Sequence, residues 1–419
     1  MFNNGNRRRV VITGMGMVSP LGNDLSSSWA AMMNSECAVE KITTFDTSDF
    51  PSTIAAFVKG FDPTQYMGKR DARRMAPFLH FAMGAAQQAL DQAGLDLSQE
   101  DPERLGVEIG SALGGADVVE DQRIILQNRG VKKVNPTALP ALLVSMPACF
   151  VAITHNMRGP VNAPVSACAT GITGIGEAMR RIIWGDADVM LAGGTESAIT
   201  PLMVGAFGRL TALSTRNDTP KRSITPFDAS RDGTVVGEGA GVMLMESLDH
   251  AQARGANILA EVKGYGLTSD AFHISSPRED GSGAFSAMRK ALQEGGLEPQ
   301  QVDYIAAHGT GTPMNDPIET EAIKRVLGPE TAYNVAVSSI KSMTGHTLGA
   351  AGALSAIAAV QAMQTGFIPP TINLDEPDPA CDLDYVPNVP RQAAVNVALV
   401  NGFGFGGQNA CIALQKWSG

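Results

Sequence analysis

The sequence predicts an α/β fold with two similar halves around largely buried sheets. Three observations carry that expectation. Short β-branched or apolar runs alternate with Ala-rich helical stretches along all 419 residues. Charged residues make up only 18% of the chain, below the roughly 25% of ordinary soluble domains, so a large core and some surface covered by another subunit are expected. An internal echo relates the halves: Cys168 precedes one small-residue helix start (ATGITGIGEAMRRIIWG) and His346 precedes another (TLGAAGALSAIAAVQAMQTG).

In chain order, strands are expected at 9–14, 105–111, 188–193 and 241–246, then at 258–266, 302–307, 336–339, 396–401 and 410–415. Helices are expected at 24–34, 71–94 and 171–184, then at 283–294, 317–327 and 349–364. A helical segment at 248–254 leads to a boundary near 256. It divides residues 1–256, with Cys168, from 257–419, with His308 and His346. No Pro-, Gly- or Ser-rich linker separates the halves, so they should pack as one body. Small residues at the two helix starts permit close backbone approach. Halves meeting face to face would bring Cys168 and His346 together. Pro and Asp content marks 374–381 as a surface loop.

The net charge of −10 is opposite to that of a nucleic-acid binder. The apolar stretch 139–153 is broken by Pro140 and Pro147 and is too short to span a bilayer. Arg7–Arg9 followed by VVITGMGMV superficially mimics a secretion signal. No small-residue cleavage site follows, and the segment runs into Ser19-Pro20-Leu21-Gly22, so a first buried strand and a turn are expected. The five cysteines (Cys37, Cys149, Cys168, Cys381, Cys411) are odd in number, far apart and match no zinc spacing. A reducing, cytoplasmic setting is expected, with no disulfide framework and no metal.

Burial as an inert thiol is the ordinary fate of cysteine, and it is the reading for four of the five. Cys168, in VSACATG, differs. It lies between a strand-like run and a helix start, where a sharp bend presents the sulfur and helix N–H groups favour the thiolate. It reads as a nucleophile. His308 opens HGTGTPMND, whose two Gly and two Thr suit a pocket wall that binds a polar chain. Asp316 and Glu319 begin the next helix and read as caps. Lys341, five residues before His346 in KSMTGH, reads either as a surface lysine or as one folded back toward the site. The run NGFGFGG fits a tight turn whose N–H groups face a ligand. It lacks the phosphate-loop lysine and a downstream acidic ribose partner, so nucleotide binding is not expected.

Together with VVITGMGMVSPLG, GPVNAPVSACATG, ALSTRND, PFDASRDG and GEGAG, these motifs resemble the β-ketoacyl-acyl carrier protein synthases of the synthase II group, from the start of the chain to its end. The resemblance implies the thiolase fold, five layers α-β-α-β-α with two pseudo-duplicated halves, assembled as a homodimer. It implies a decarboxylating Claisen condensation of an acyl thioester with malonyl-carrier in fatty-acid elongation. In that scheme Cys168 takes the acyl group, and His308 and His346 donate to the thioester oxygen of the malonyl group. Lys341 holds the electrostatics, and the N–H groups of Cys168 and Phe403 form the oxyanion hole. Thr310 and Thr312 would bind the pantetheine arm, and Leu113, Phe207 and Phe403 would line the acyl pocket, Phe403 as its gate. Lys69, Arg70, Arg73 and Arg74 would dock the acidic acyl carrier protein. No bound cofactor, nucleic acid or membrane enters the scheme, because the carrier brings the phosphopantetheine.

Three positions depart from the family pattern: Ser355 stands for a Glu, Thr234 for the Phe of RDGF, and Arg209-Leu210-Thr211 for Ala-Ala-Arg. The alternatives are a ketosynthase subunit of a type II polyketide or specialised lipid pathway, and a non-catalytic partner resembling a chain-length factor. Such partners typically lack the cysteine that this chain has.

Overall fold

The computed structural model describes residues 7–419. The first strand, β1 (Val10–Val18), is buried at every position, as expected of VVITGMGMV. The first half continues with β2 (Leu105–Gly110), β3 (Val161–Asn162), β4 (Val189–Glu196) and β5 (Gly239–Ser247). The second half supplies β6 (Ala260–Ser269), β7 (Tyr304–Ala306), β8 (Ala336–Ser338), β9 (Val397–Gly404) and β10 (Gln408–Lys416). Their spatial order is β8-β7-β9-β10-β6-β1-β5-β4-β2-β3. Outward from the centre, each half runs first, fifth, fourth, second, third. The topology is therefore repeated. Within the sheet the two half-sheets join where β1 pairs with β6, at Val11–Glu261 and Ile12–Ala260.

The helices used below are α1 (Leu25–Met33), α2 (Pro77–Ala93), α3 (Ala116–Arg129), α4 (Met146–His155), α5 (Thr170–Trp184), α6 (Pro201–Arg209), α7 (Ser282–Gly295), α8 (Asn315–Leu327) and α9 (Ala351–Thr365). Helix α2 covers β1 and β5 from outside, and α7 covers β6 and β10. Helices α5 and α9 touch each other and strands of both halves, so they form a central layer. The succession is outer helices, half-sheet, central helices, half-sheet, outer helices.

One expected helix differs, and one apolar stretch without an expected element is helical. The helix expected at 71–94 is interrupted. A four-residue turn, Lys69–Ala72, precedes α2, which starts only at Pro77. Pro77 donates no N–H, and the residue before a proline is pushed out of helical space. Ala76 is accordingly extended, with φ −79° and ψ 157°. The apolar stretch 139–153 forms a short helix, Ala138–Leu142, and then α4, with Pro147 in its first turn. No helix among the described residues is long and apolar enough to cross a membrane.

The two central helices start alike. Ala167 (φ 50°) and Leu348 (φ 46°) are left-handed, and each opens a three-residue 3₁₀ turn that runs into a 15-residue helix. The helices cross where side chains are missing. A Cβ on Gly171 would stand 2.6 Å from the backbone nitrogen of Ala353 and 3.1 Å from the carbonyl oxygen of Gly349. Alanine favours a helix interior over glycine by about 1 kcal/mol, but here the backbone of α9 would have to retreat. We expect Gly171→Ala to lower stability by about 1–3 kcal/mol net of that gain, the usual scale of overpacking, in a urea unfolding titration.

Candidate active site

The close approach of α5 and α9 places Cys168 and His346 in the wall of one cavity. It has a volume of about 330 Å³, and His308, Thr310, Thr312, Phe207 and Phe403 also line it. The histidines are buried, with ring centroids 5.5 Å apart and planes at 84°. Burial first, and then the Lys341 charge, hold both well below the ordinary histidine pKa. Both imidazoles are neutral at pH 7, and each can present one N–H.

Lys341 is folded back, and its Nζ donates to the carbonyl of His308 at 2.5 Å. Burial brings its pKa down to about 8, against the opposing pull of Glu319, Cys168 and Asp316. Cys168 sits in the 3₁₀ turn Ala167–Ala169. The helix start was expected to favour its thiolate. Burial wins instead and pushes the thiol up to about 12, with Lys341 acting in the lowering direction. The resting form is the thiol.

The turn after β9 corrects one expectation. Phe403 is still paired with Asn409 in the ladder, whereas Phe405 is the first residue beyond the strand. The backbone N–H that reaches the Cys168 sulfur, besides its own, is that of Phe405. The Phe405 ring tilts against Phe207 with centroids 6.2 Å apart. Phe403 instead lies 5.5 Å from His308. The backbone donor beside the sulfur is thus that of Phe405 and not that of Phe403, and both rings lie in the cavity wall. Leu113 also departs from expectation. It is exposed and lies off the cavity wall.

Asp316 and Glu319 do not cap their own helix. Asp316 accepts the N–H groups of Thr310, Gly311 and Phe227. Glu319 accepts those of His308 and Gly309 and the Asn401 amide. Two buried carboxylates therefore hold four consecutive N–H groups of the His308–Gly311 loop. Burial raises Asp316 to about 6 against those bonds. The loop sets Thr310 Oγ1 3.0 Å from Thr312 Oγ1 on the wall.

Thr234, Leu210 and Thr211 line the cavity, and Ser355 is buried within α9. Lys69, Arg70 and Arg73 are exposed and Arg74 is half-buried, on the turn before α2. Among the described residues, no group of three or more His, Cys, Asp or Glu side chains is arranged to hold a metal ion. One buried carboxylate beside the site, Glu196, was not anticipated. It ends β4, which runs three residues past its expected end.

The N-terminal domain of the β-ketoacyl synthases matches residues 7–251, and their C-terminal domain matches 259–375. The chain belongs to the β-ketoacyl synthase family. The 3-oxoacyl-[acyl-carrier-protein] synthase 2 of Vibrio harveyi is 46% identical over 410 residues, 98% of this chain and 99% of the relative. That of Synechocystis is 47% identical over 411 residues, with the same shares covered. Among solved structures, a type II polyketide acyl carrier protein in complex with its ketosynthase and a hexaketide matches with a TM-score of 0.91 at 34% identity, covering 99% of this chain and 100% of that one. A β-ketoacyl synthase from Burkholderia phymatum matches with a TM-score of 0.91 at 35% identity, covering 98% and 100%. The fold is the thiolase fold of these ketosynthases, and the family's enzymes are condensing acyltransferases.

The electrostatics give a test. Iodoacetamide alkylation of Cys168 should keep rising with pH through pH 9, because the thiol lies above that range. Lys341→Met removes the nearest lowering charge and should slow alkylation below about pH 8, where that lysine is protonated, with the difference fading above it. A plateau near neutrality would contradict the arrangement.

Proposed function

We propose that the chain is a 3-oxoacyl-[acyl-carrier-protein] synthase that elongates fatty-acyl chains by decarboxylating condensation. The observation that carries this reading is the cysteine facing two buried, neutral histidines in one cavity. Cys168 sulfur attacks the carbonyl carbon of an acyl thioester, and the carrier thiol leaves with the proton that Cys168 gives up. The N–H groups of Cys168 and Phe405 receive the developing oxyanion, where one such donor is typically worth about 10²–10³ in rate. Malonyl-carrier then loses carbon dioxide, and the electron pair of the broken C–C bond passes into an enolate. His308 and His346 donate to its oxygen. The enolate carbon attacks the acyl group on Cys168, the C–S bond breaks, and the thiol is restored by protonation. Thr310 and Thr312 bind the pantetheine arm. Phe207 and Phe405 form the gate over the cysteine, with the two glycines after Phe405 as its hinge.

No bound cofactor enters this scheme. The same reading assigns the nucleophile to residues 1–256 and the histidines to 257–419. It places the enzyme in the cytoplasm, as a homodimer built on the exposed edge strand β3. That edge, with exposed Leu139, Ile153 and Val165, supports an interface with a second copy. Relatives named as synthase 2 are more similar in sequence than the polyketide structure, which favours fatty-acid over polyketide chains.

Intact-protein mass after incubation with acyl-carrier proteins of graded chain length should show the acyl increment, and Cys168→Ala should show none. No increment at any length would reject the reading. Docking has its own measurement. Reversing Arg70 and Arg73 to Glu should raise KM for carrier-borne substrate by about 10-fold, with little change for a short acyl thioester that has no carrier. Equal KM values would remove this patch from the docking surface.

A further inference from the structure

Glu196 is fully buried at the end of β4, and its carboxylate accepts four hydrogen bonds from two separate turns. Ser111 Oγ (2.8 Å), Ala112 N (2.8 Å) and Leu113 N (3.3 Å) belong to the turn after β2. Gly349 N (3.1 Å) belongs to the turn that opens α9. The fit leaves no room: a Cβ on Gly349 would lie 2.8 Å from Glu196 Oε2 and 2.6 Å from Ala112 N.

Gly349 follows Leu348, whose φ of 46° is disfavoured for any residue with a Cβ and persists only where its surroundings hold it. Leu348 N–H points back to His346 and donates to Nδ1 at 3.3 Å. A ring nitrogen that accepts carries no proton, so a neutral His346 presents its N–H at Nε2. The bond from Gly349 to Glu196 pins the residue next to the one that sets this tautomer.

We propose that Glu196 is a positioning residue for His346. It holds the Leu348–Gly349 turn and thereby fixes the tautomer and orientation of the ring that donates to the malonyl thioester. The proposal rests on the condensing function given above and deepens it. It separates the two half-reactions. Decarboxylation needs the His346 Nε2–H, whereas acyl transfer to Cys168 relies on the N–H groups of Cys168 and Phe405.

The test uses the full-length chain carrying Glu196→Gln, which puts an NH₂ group against N–H donors. We expect kcat for decarboxylation of malonyl-carrier to fall at least about 10-fold with KM little changed, the cost of a misplaced catalytic group. The rate of Cys168 acylation, read by mass, should fall less than about 3-fold, since its donors are elsewhere. Glu196→Asp keeps the carboxyl group but is one methylene too short to serve both turns. It should show the same skew, and it decides the matter if the Gln variant does not fold. Proportional loss of both half-reactions, or loss of neither, would overturn the proposal while leaving the functional reading intact. A wild-type chain that neither accepts acyl groups nor decarboxylates malonyl-carrier would overturn both.

Discussion

The contact on which the site depends is the one between the starts of α5 and α9. Gly171 and Gly352 remove the side chains that would keep the two helices apart. At their ordinary separation of about 8–10 Å, helix axes are held apart by side chains. Here backbone meets backbone, and the sharp turns ahead of each helix are brought face to face. Cys168 lies in one turn and His346 just before the other. Cys168 comes from one half and the two histidines from the other, so neither half alone builds the cavity wall. Both turns begin with a non-glycine residue in the left-handed region. Such strain is sustained where surrounding structure over-determines the backbone, and the central layer does so on every side.

Burial then sets the protonation states. Burial of these groups disfavours charge on each, so the cysteine rests as a thiol, the histidines are neutral, and Lys341 is weakened as a cation. The carboxylates Asp316 and Glu319 lie behind the loop and not in the cavity wall. They act on Lys341 from a distance, in the raising direction, and stay out of the part of the wall that carries the two histidines. Where the family pattern has a Glu, Ser355 is buried in α9, and Lys341 relies on a carbonyl and on the more remote carboxylates.

The fold was legible because its signals are local and redundant. The β1 run is apolar throughout, and the central helices are dense in Gly and Ala. Nine strands fall close to their expected positions. Helix α3 escaped because only Ala116 of its 14 residues is buried, so it carries no apolar stripe. Strand β3 escaped because two exposed residues show no period. In the site, residue types were readable but strand ends were not. The motif NGFGFGG offers two phenylalanines, and choosing between their N–H groups requires knowing that β9 runs to Gly404 rather than 401. Glu196 was hidden for the same reason, since β4 extends past 193. Asp316 and Glu319 look like helix caps in sequence. Their partners lie upstream in the loop, and only the turn at Gly309 and Gly311 brings those N–H groups back over them.

A common logic links these cases. In the proposed mechanism each donor is a backbone or ring N–H whose direction is set by a residue behind the cavity wall. The turn beyond β9 aims the Phe405 amide, Asp316 and Glu319 aim the His308 loop, and Glu196 holds the turn behind His346. A donor already in place avoids reorganisation at the moment charge develops, and that is where rate is gained. The buried carboxylates are therefore spent on geometry. Placed beside the histidines, they would repel the enolate that the proposed mechanism forms there.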